Sequence, residues 1–449
     1  MRRLFVHLFC LLCSITLFAE DSPISGSWSG KLELRNGKSL KLVFHISDEG
    51  QEVTLDSPDQ GVKGIPLDMK YISDDSLNCT NGAMLMSFSG KLKEGKIEGS
   101  FFQRGVTIPL TLSRGEVIVK RPQTPVLPFP YTTEEVQISN DSVSLSGTLT
   151  IPENADKNTP VIIMITGSGL QNRDEELFEH KPFAVIADFL ARQGIASLRY
   201  DDRGFGKSTG DVLNATTADF ADDARMALEW IQSAGRFGKT GVLGHSEGGQ
   251  IAYMLGAEKS VDYIISVAGP AIPGTQTIAY QNKNALLKSG VDEKTAANFA
   301  EAIEKGFNYK ITHPEKLSVS GSLIAELYPQ YKQNAFTMRL AETLRQMLED
   351  KSTNPWMIYF LAYNPKADMT NITVPALIIY GEKDKQVPPS LNLVPAREYL
   401  PSAKIICYPE LNHLMQHSET GDVEEYSTIE ETISPRVLSD IATFINSIK

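Results

Sequence analysis

The sequence has few cysteines and no excess of basic residues, so it lacks features typical of proteins that bind structural metals, nucleic acids or anionic surfaces. It has four cysteines in 449 residues, and two of these, Cys10 and Cys13, lie close to the N-terminus. The other two, Cys79 and Cys407, cannot form a structural zinc site by themselves. We expect them to be free, mostly buried thiols, with a disulfide between them as the alternative. Acidic residues outnumber basic ones, 55 to 43, and the net charge of −12 disfavours nucleic acid as a partner.

Two cofactor motifs are incomplete. Residues 204–208 (Gly-Phe-Gly-Lys-Ser) resemble the end of a P-loop, but residue 201 is an aspartate where that motif requires glycine. His413 and His417 are four residues apart, yet no His-Glu-x-x-His sequence or third ligand accompanies them. We therefore expect neither a phosphate-binding P-loop nor a zinc site, and we expect no cofactor.

A continuous apolar run begins the chain. Arg2 and Arg3 precede residues 4–18, which are almost wholly apolar and end at Ala19 before two acidic residues. This order is typical of a secretory signal peptide, and the run is short for a bilayer span. We expect residues 1–19 to be removed, which would leave a secreted or periplasmic protein without stable membrane insertion. An uncleaved anchor is the alternative.

The next hundred residues have the pattern of an all-β domain. From residue 25 to 114, short alternating segments are separated by turn signals such as Asn36-Gly37 and Glu94-Gly95. We expect seven or eight strands in a small barrel or sandwich over residues 20–120. This domain either binds a ligand or shields the domain that follows. Four prolines in residues 121–131 then predict a semi-rigid linker.

The remainder, residues 132–449, alternates between buried strands and amphipathic helices. A hairpin is followed by a wholly apolar run, as expected for a central parallel strand. The alternation predicts a doubly wound α/β sheet. From about residue 275 to 365 the strand signal disappears and the pattern becomes helical. The predicted strands are residues 161–165, 195–200, 241–243, 263–267, 376–380 and 403–407, and the predicted helices include 183–192, 218–233, 296–305, 335–349 and 435–448.

One glycine-rich stretch carries the first catalytic candidate. Gly244 and Gly248 flank Ser246 in a G-x-S-x-G pattern between a strand and a helix, which is the nucleophile elbow of α/β-hydrolases. The turn is so tight that larger residues at the glycine positions would collide. Ser246 is therefore the candidate nucleophile, placed at a helix N-terminus where backbone N–H groups favour developing negative charge.

A serine nucleophile needs a base and an acid that orients the base. Asp384 follows the predicted strand 376–380, and His413 follows the predicted strand 403–407, so both belong at the sheet edge that carries Ser246. We predict His413 as the general base and Asp384 as its partner. Glu382 and Asp422 are the alternative acids.

The oxyanion hole requires two N–H donors. One is expected from the backbone of Glu247, directly after the nucleophile, and the other from the loop after strand 161–165. In that loop Ser168 is the expected donor and Gly169 the alternative.

Residues 121–449 resemble secreted bacterial α/β-hydrolases of the EstD-like esterase group, often labelled serine aminopeptidase-like. The matching segments are residues 166–175, 199–204, 244–249 and 381–384. The resemblance implies an α/β-hydrolase fold with a helical cap, preceded by a small all-β domain. It also implies carboxylesterase activity with Ser246, Asp384 and His413 as the triad. Relatives usually have proline where this chain has Leu170.

The triad alone does not separate an esterase from a peptidase. An aminopeptidase also needs carboxylates to hold the α-ammonium group of its substrate. The apolar complement of the cap instead favours small-molecule esters with short-chain acyl or aryl groups. A serine aminopeptidase-like peptidase and a catalytically inactive binding protein are the alternatives, and the oligomeric state stays open. The side chains expected to roof the pocket are Phe299, Phe307, Phe336, Met338, Trp356, Tyr359 and Phe360.

Overall fold

The computed structural model describes residues 23–34, 39–47, 52–60, 62–73, 75–115, 120–313, 318–349 and 355–448. The chain forms two compact units, Met1–Ile118 and Val119–Lys449. The predicted signal peptide, residues 1–19, lies outside the described residues. None of the described helices combines the length and the apolar character that a membrane span needs.

The first unit contains an eight-stranded antiparallel barrel, which decides between the barrel and the sandwich of the sequence prediction. Each strand pairs with its neighbour in the chain, and the pairing of Ser29 with Ser113 closes the barrel. Trp28, Phe44 and Phe88 fill the interior. The strands are β1 Gly26–Glu33, β2 Ser39–Ile46, β3 Val53–Ser57, β4 Val62–Ser73, β5 Ser76–Asn81, β6 Met86–Lys93, β7 Lys96–Gln103 and β8 Val106–Arg114.

The second unit is built on an eight-stranded mixed sheet. An antiparallel hairpin lies at one edge, and the other six strands run parallel to one another. The spatial order is β16-β15-β14-β13-β11-β12-β10-β9. The strands are β9 Tyr131–Ser139, β10 Ser144–Pro152, β11 Val161–Ile165, β12 Ala196–Tyr200, β13 Thr240–His245, β14 Tyr263–Val267, β15 Ala376–Gly381 and β16 Lys404–Tyr408.

Helices cover both faces of this sheet, which explains why its central strands are continuously apolar. In β11, Val161, Ile163 and Ile165 belong to one hydrophobic core, whereas Ile162 and Met164 belong to the core on the opposite face. The helices are α1 Pro182–Arg192, α2 Thr217–Ala234, α3 Glu247–Ala257, α4 Gly274–Lys288, α5 Glu293–Thr312, α6 Gly321–Leu327, α7 Ala335–Glu349, α8 Pro355–Ala362, α9 Lys366–Met369, α10 Pro389–Tyr399, α11 Val423–Tyr426 and α12 Pro435–Asn446.

Helices α4–α8 lie between β14 and β15 and form the cap expected from the sequence. The cap has a hydrophobic core of its own, in which Ile303, Leu344 and Leu348 are buried. In α7, Leu344 and Leu348 are buried, whereas Met338, expected to roof the pocket, is 56% exposed.

The proline-rich segment, residues 121–131, belongs to the second unit and contacts it at its start. The Arg121 guanidinium donates hydrogen bonds to the carbonyl oxygens of Phe178, Ser427 and Ile429. The Gln123 side chain accepts from the backbone N–H of Thr432. The N-terminal end of the predicted linker therefore packs on the rest of the second unit.

Candidate active site

Ser246 occupies the turn between β13 and α3, in the strand–serine–helix order that the motif predicts. Its φ of 53° is in the left-handed region that few non-glycine residues adopt. A Cβ on Gly244 would lie 1.8 Å from the carbonyl oxygen of Gly248, and a Cβ on Gly248 would lie 2.2 Å from that of Ile165. Both glycines are therefore required for the close approach of the elbow to its own helix and to β11.

His413 and Asp384 form a buried hydrogen-bonded pair. The His413 Nδ1–H donates to Asp384 Oδ2 over 2.7 Å, which leaves Nε2 as the ring nitrogen that can accept a proton. Asp384 Oδ1 accepts from the backbone N–H groups of Gln386 and Val387, each over 2.8 Å. The rival acid Asp422 instead pairs with Lys288 and Lys385.

A cavity of about 340 Å³ brings the predicted catalytic residues together. Ser246, His413, Glu247 and Ser168 all line it, whereas the alternative oxyanion donor Gly169 lines a separate small cavity. The roles of the four residues stay predictions. The other lining residues include Gln171, Leu177, Phe178, Thr277, Ile278, Gln281, Trp356, Phe360, Gln386, Val387, Leu414, Val423 and Tyr426.

The Glu247 side chain connects the elbow to the cap, a link that the sequence analysis missed. Its Oε1 accepts from the Thr217 hydroxyl over 2.7 Å and from Trp356 Nε1–H over 2.8 Å. The Ser168 hydroxyl also bonds to this carboxyl group. Burial raises the pKa of Glu247, and these three hydrogen bonds oppose that shift.

A second buried acid supports the oxyanion loop, residues 166–171. Asp202 accepts from the Thr166 hydroxyl over 2.7 Å and from the Gln171 backbone N–H over 2.8 Å, so it holds both ends of the loop. Burial raises the pKa of Asp202 to about 7, although both hydrogen bonds favour the charged form. Asp202 lies in the segment 199–204 that carries the family resemblance, but no role was predicted for it.

A third buried acid, Glu175, lies beneath the elbow. Its Oε1 accepts from the Gly167 backbone N–H over 2.8 Å and contacts His245 Nδ1 over 2.9 Å. The other ring nitrogen of His245, Nε2, lies 3.0 Å from the carbonyl oxygen of His413. Glu175 and His245 lie in the segments 166–175 and 244–249 that carry the family resemblance, but no role was predicted for either residue.

The aromatic roof predicted for the pocket is mostly wrong. Trp356 and Phe360 line the cavity, but Phe299 and Phe307 are in the core of the cap. Phe336 is 42% exposed, and Tyr359 packs against the core of the sheet. Aromatic side chains from elsewhere in the unit, Phe178 and Tyr426, line the cavity in their place.

Within the described residues, no group of three or more His, Cys, Asp or Glu side chains is arranged to hold a metal ion. The chemistry that the lining residues can perform is nucleophilic attack by a hydroxyl with an adjacent histidine to accept its proton.

Comparison with known proteins agrees with this geometry. Residues 179–420, more than half of the chain, match the Hydrolase_4 family, described as serine aminopeptidase, S33. The chain is 24% identical over 361 residues to esterase EstD of Thermotoga maritima, covering 79% of this chain and 74% of that protein. It is 24% identical over 245 residues to the bifunctional esterase/perhydrolase DCH of Acinetobacter calcoaceticus, covering 53% and 82%.

Among solved structures, an esterase of Pyrococcus furiosus is similar to this chain with a TM-score of 0.42 and 17% identity, over 74% of this chain and 98% of that one. The strand order of the second unit, the elbow after β13 and the extent of the family match lead to one assignment. The chain belongs to the serine aminopeptidase S33 family of α/β-hydrolases.

Proposed function

We propose that this protein is a carboxylesterase that cleaves small esters through an acyl-Ser246 intermediate. The observation that carries the proposal is the cavity that Ser246 and His413 both line. The Nδ1 nitrogen of His413 is hydrogen-bonded to Asp384, which leaves Nε2 to accept a proton. In the first step the Ser246 Oγ bonds to the ester carbonyl carbon while its proton passes to His413 Nε2. The backbone N–H groups of Ser168 and Glu247 stabilise the negative charge on the carbonyl oxygen.

The second half of the reaction uses the same groups. Collapse of the tetrahedral intermediate breaks the bond to the alcohol, which leaves with the proton from His413. A water molecule then gives a proton to His413 and attacks the acyl carbon, which forms a second tetrahedral intermediate. Its collapse breaks the bond to Ser246 Oγ, which takes the proton back from His413 as the acid is released. No step requires a group outside the residues that line the cavity and Asp384.

The cavity favours a small, uncharged ester. Its walls combine apolar and aromatic side chains, including Phe178, Trp356 and Phe360, with the neutral amides of Gln171 and Gln386. A volume of about 340 Å³ accommodates a short acyl or aryl group but is at the lower end of the range for small-molecule pockets. The two similar proteins named as esterases support an ester as the substrate.

The family description favours a second candidate, an aminopeptidase. Such an enzyme needs a carboxylate to bind the α-ammonium group of its substrate. Among the described residues that line the cavity, Glu247 has the one carboxyl group near the nucleophile, and it is engaged by Thr217 and Trp356. We therefore favour the ester over the aminoacyl amide.

The deciding experiment compares kcat/KM for p-nitrophenyl acetate, butyrate and palmitate with that for a panel of aminoacyl-p-nitroanilides. We expect acetate or butyrate to be the best substrate and palmitate a poor one. An anilide that matches the best ester would establish the peptidase, because activated esters are intrinsically easier to hydrolyse. A fluorophosphonate that leaves Ser246 unlabelled would reject both enzymes in favour of an inactive binding protein.

We also propose that the protein acts outside the cytoplasm. The basic start, the apolar run 4–18 and Ala19 support removal of residues 1–19. N-terminal sequencing of the protein from its native host should begin near Glu20, and an intact Met1 would contradict this proposal.

A further inference from the structure

The pair Glu175 and His245 is almost completely enclosed by protein. Glu175 is 1% exposed and His245 6% exposed. The pair lies against apolar side chains, among them Pro182, Phe183 and Leu414. An ionisable pair in such surroundings is retained only where its hydrogen bonds are satisfied.

The hydrogen bonds of His245 determine its protonation. The carbonyl oxygen of His413 can only accept, so His245 Nε2 must carry a hydrogen. Glu175 Oε1 already accepts from the Gly167 N–H, and as an ionised carboxylate it can only accept, in which case His245 Nδ1 also carries a hydrogen. Both contacts are satisfied together by an imidazolium ion beside a carboxylate.

We propose that Glu175 and His245 form a carboxylate–imidazolium pair that positions the oxyanion loop, the nucleophile elbow and the His413 loop relative to one another. This inference rests on the proposed function. Neither side chain takes part in a chemical step. Both are positioning residues that act through the backbone of Gly167, Ser246 and His413.

The Glu175–His245 pair contacts each of the three segments through a different atom. Glu175 holds the oxyanion loop through the Gly167 N–H, one residue before the expected donor Ser168. A Cβ on Gly167 would lie 3.2 Å from the Ser246 Cβ and 3.4 Å from Glu175 Oε1, so the loop and the elbow are in close contact. His245 directly precedes Ser246 in the chain, and its Nε2–H holds the carbonyl group of the base itself.

The surrounding charges are consistent with an imidazolium. Burial lowers the pKa of His245, but the Glu175 carboxylate, the carbonyl of His413 and the more distant Asp384 raise it, and the net direction is upward. Among the described residues, the His413 ring also faces His245, with the two ring centroids 4.8 Å apart.

The first test replaces Glu175 by glutamine, with Glu176→Gln as the matched control on the adjacent, more exposed glutamate. Without the carboxylate, His245 should become neutral and lose one of its two hydrogen bonds. We expect kcat for the best ester to fall about 10²-fold, the loss typical of a small misplacement of catalytic groups. KM should change little, because Glu175 does not line the substrate cavity.

The pH profile separates this role from simple stabilisation. In Glu175→Gln the acid limb of kcat/KM should move, because the variant changes the charge of a ring whose centroid lies 4.8 Å from that of His413. Glu176→Gln should keep both the rate and the profile of the parent. A Glu175→Gln enzyme with parental kcat and an unmoved acid limb would overturn the proposal.

A double variant tests whether the pair acts as a unit. His245→Gln retains a donor for the carbonyl of His413 but leaves Glu175 as an uncompensated buried charge. The double variant Glu175→Gln/His245→Gln should therefore be at least as active as the less active of the two single variants. Losses that multiply would show that the two residues act independently and would contradict the proposal.

The protonation of His245 can be measured directly in the parent protein, and a variant serves only to assign the signal. Nitrogen NMR of the ring-labelled, full-length protein should show both His245 nitrogens protonated at pH 6.5, where an unperturbed histidine is about half neutral. The Glu175→Gln spectrum, if the variant folds, assigns the signal. A neutral His245 at this pH overturns the inference even in an active enzyme, whereas failure of the proposed function appears as a wild-type protein that neither hydrolyses esters nor reacts with a fluorophosphonate.

Discussion

Each of the two units contains a histidine that is hydrogen-bonded to an aspartate and a serine near that histidine, yet only one of these groups lies in a nucleophile-elbow setting. In the barrel, Ser27 Oγ lies 3.0 Å from His45 Nδ1, and His45 Nε2 lies 2.9 Å from Asp56 Oδ2. In the second unit, His413 Nδ1 lies 2.7 Å from Asp384 Oδ2, and Ser246 lines the same cavity as His413. The residue types are identical.

The difference lies in the backbone and in burial. Ser27, His45 and Asp56 are on three consecutive antiparallel strands, β1 to β3, so their contacts follow from ordinary cross-strand neighbours. The His45 and Asp56 side chains are 32% and 17% exposed, compared with 5% for His413 and 0% for Asp384. Only the second group combines its side chains with a strand–turn–helix elbow and with nearly complete burial of the histidine and the aspartate.

The largest difference between the two groups is expected when each serine is replaced in turn. Ser246→Ala should lower ester turnover by about 10⁶-fold and abolish labelling by a fluorophosphonate, because the acyl acceptor is lost. Ser27→Ala should leave both measurements unchanged. Turnover by a well-folded Ser246→Ala protein, or loss of turnover in Ser27→Ala, would reverse the assignment of the two groups.

The aspartates provide the second contrast. Asp384→Asn should lower kcat by about 10⁴-fold, because an amide can donate to His413 Nδ1 and favour the wrong tautomer of the base. The barrel variant Asp56→Asn should retain parental kcat. Steady-state kinetics with p-nitrophenyl butyrate measures both, and circular dichroism confirms that each variant is folded. Equal kcat values for Asp384→Asn and the parent would exclude Asp384 as the orienting acid.

The features predicted correctly from the sequence are those that follow from local pattern. The elbow was recognisable because Gly244 and Gly248 are required by contacts within a few residues of Ser246 and with β11. The placement of Asp384 and His413 could be predicted because neighbouring parallel strands bring the loops after them to the same edge of the sheet, whereas their catalytic roles stay predictions. Closure of the barrel, in contrast, depends on the pairing of β1 with β8, which no local pattern records.

The hydrogen bonds that support the candidate site were not predicted, because each of them joins residues far apart in the chain. The bond from Trp356 to Glu247 spans 109 positions, that from His245 to Glu175 spans 70, and that from Thr166 to Asp202 spans 36. The cap aromatics were misassigned for the same reason. Helical spacing identifies a buried face, but it does not say whether Phe299 faces the cap core or the pocket.

Two tryptophan N–H groups give a smaller contrast between the units. Trp28 Nε1–H donates to the carbonyl oxygen of Ile24 over 2.8 Å inside the barrel, whereas Trp356 Nε1–H donates to Glu247 beside the nucleophile. Trp356→Phe should lower kcat/KM about tenfold, because a hydrogen bond to a carboxylate contributes roughly 1.5–3 kcal/mol and this one joins the cap to the elbow. Trp28→Phe should lower the melting temperature without changing kcat/KM. Parental kcat/KM in Trp356→Phe would show that this bond does not support the site.

The smallest effect on turnover and a clear effect on stability are expected at Asp202. This carboxyl group is 6% exposed, so burial raises its pKa from 3.8 to about 7. The unfolded chain releases the proton near pH 4 and the folded chain near pH 7, so stability is highest below pH 4 and decreases as pH rises to 7. A shift of this size corresponds to about 4 kcal/mol. His180, whose pKa is lowered to about 4 by burial, changes stability in the opposite direction over the same range, so the parent curve alone does not isolate Asp202.

Asp202→Asn removes the titration while keeping a similar shape, and the difference between variant and parent then reports Asp202 alone. The amide can still accept from the Gln171 N–H and bond to the Thr166 hydroxyl, as the protonated acid does. We therefore expect the two proteins to have similar free energies of unfolding at pH 4 and the variant to be more stable by about 4 kcal/mol at pH 8. Urea unfolding followed by tryptophan fluorescence measures this difference, because Trp230 and Trp356 both lie in the second unit. A difference that stays constant from pH 4 to pH 8 would mean that Asp202 titrates alike in the folded and unfolded chain, and that the oxyanion loop is not held by a buried, protonatable acid.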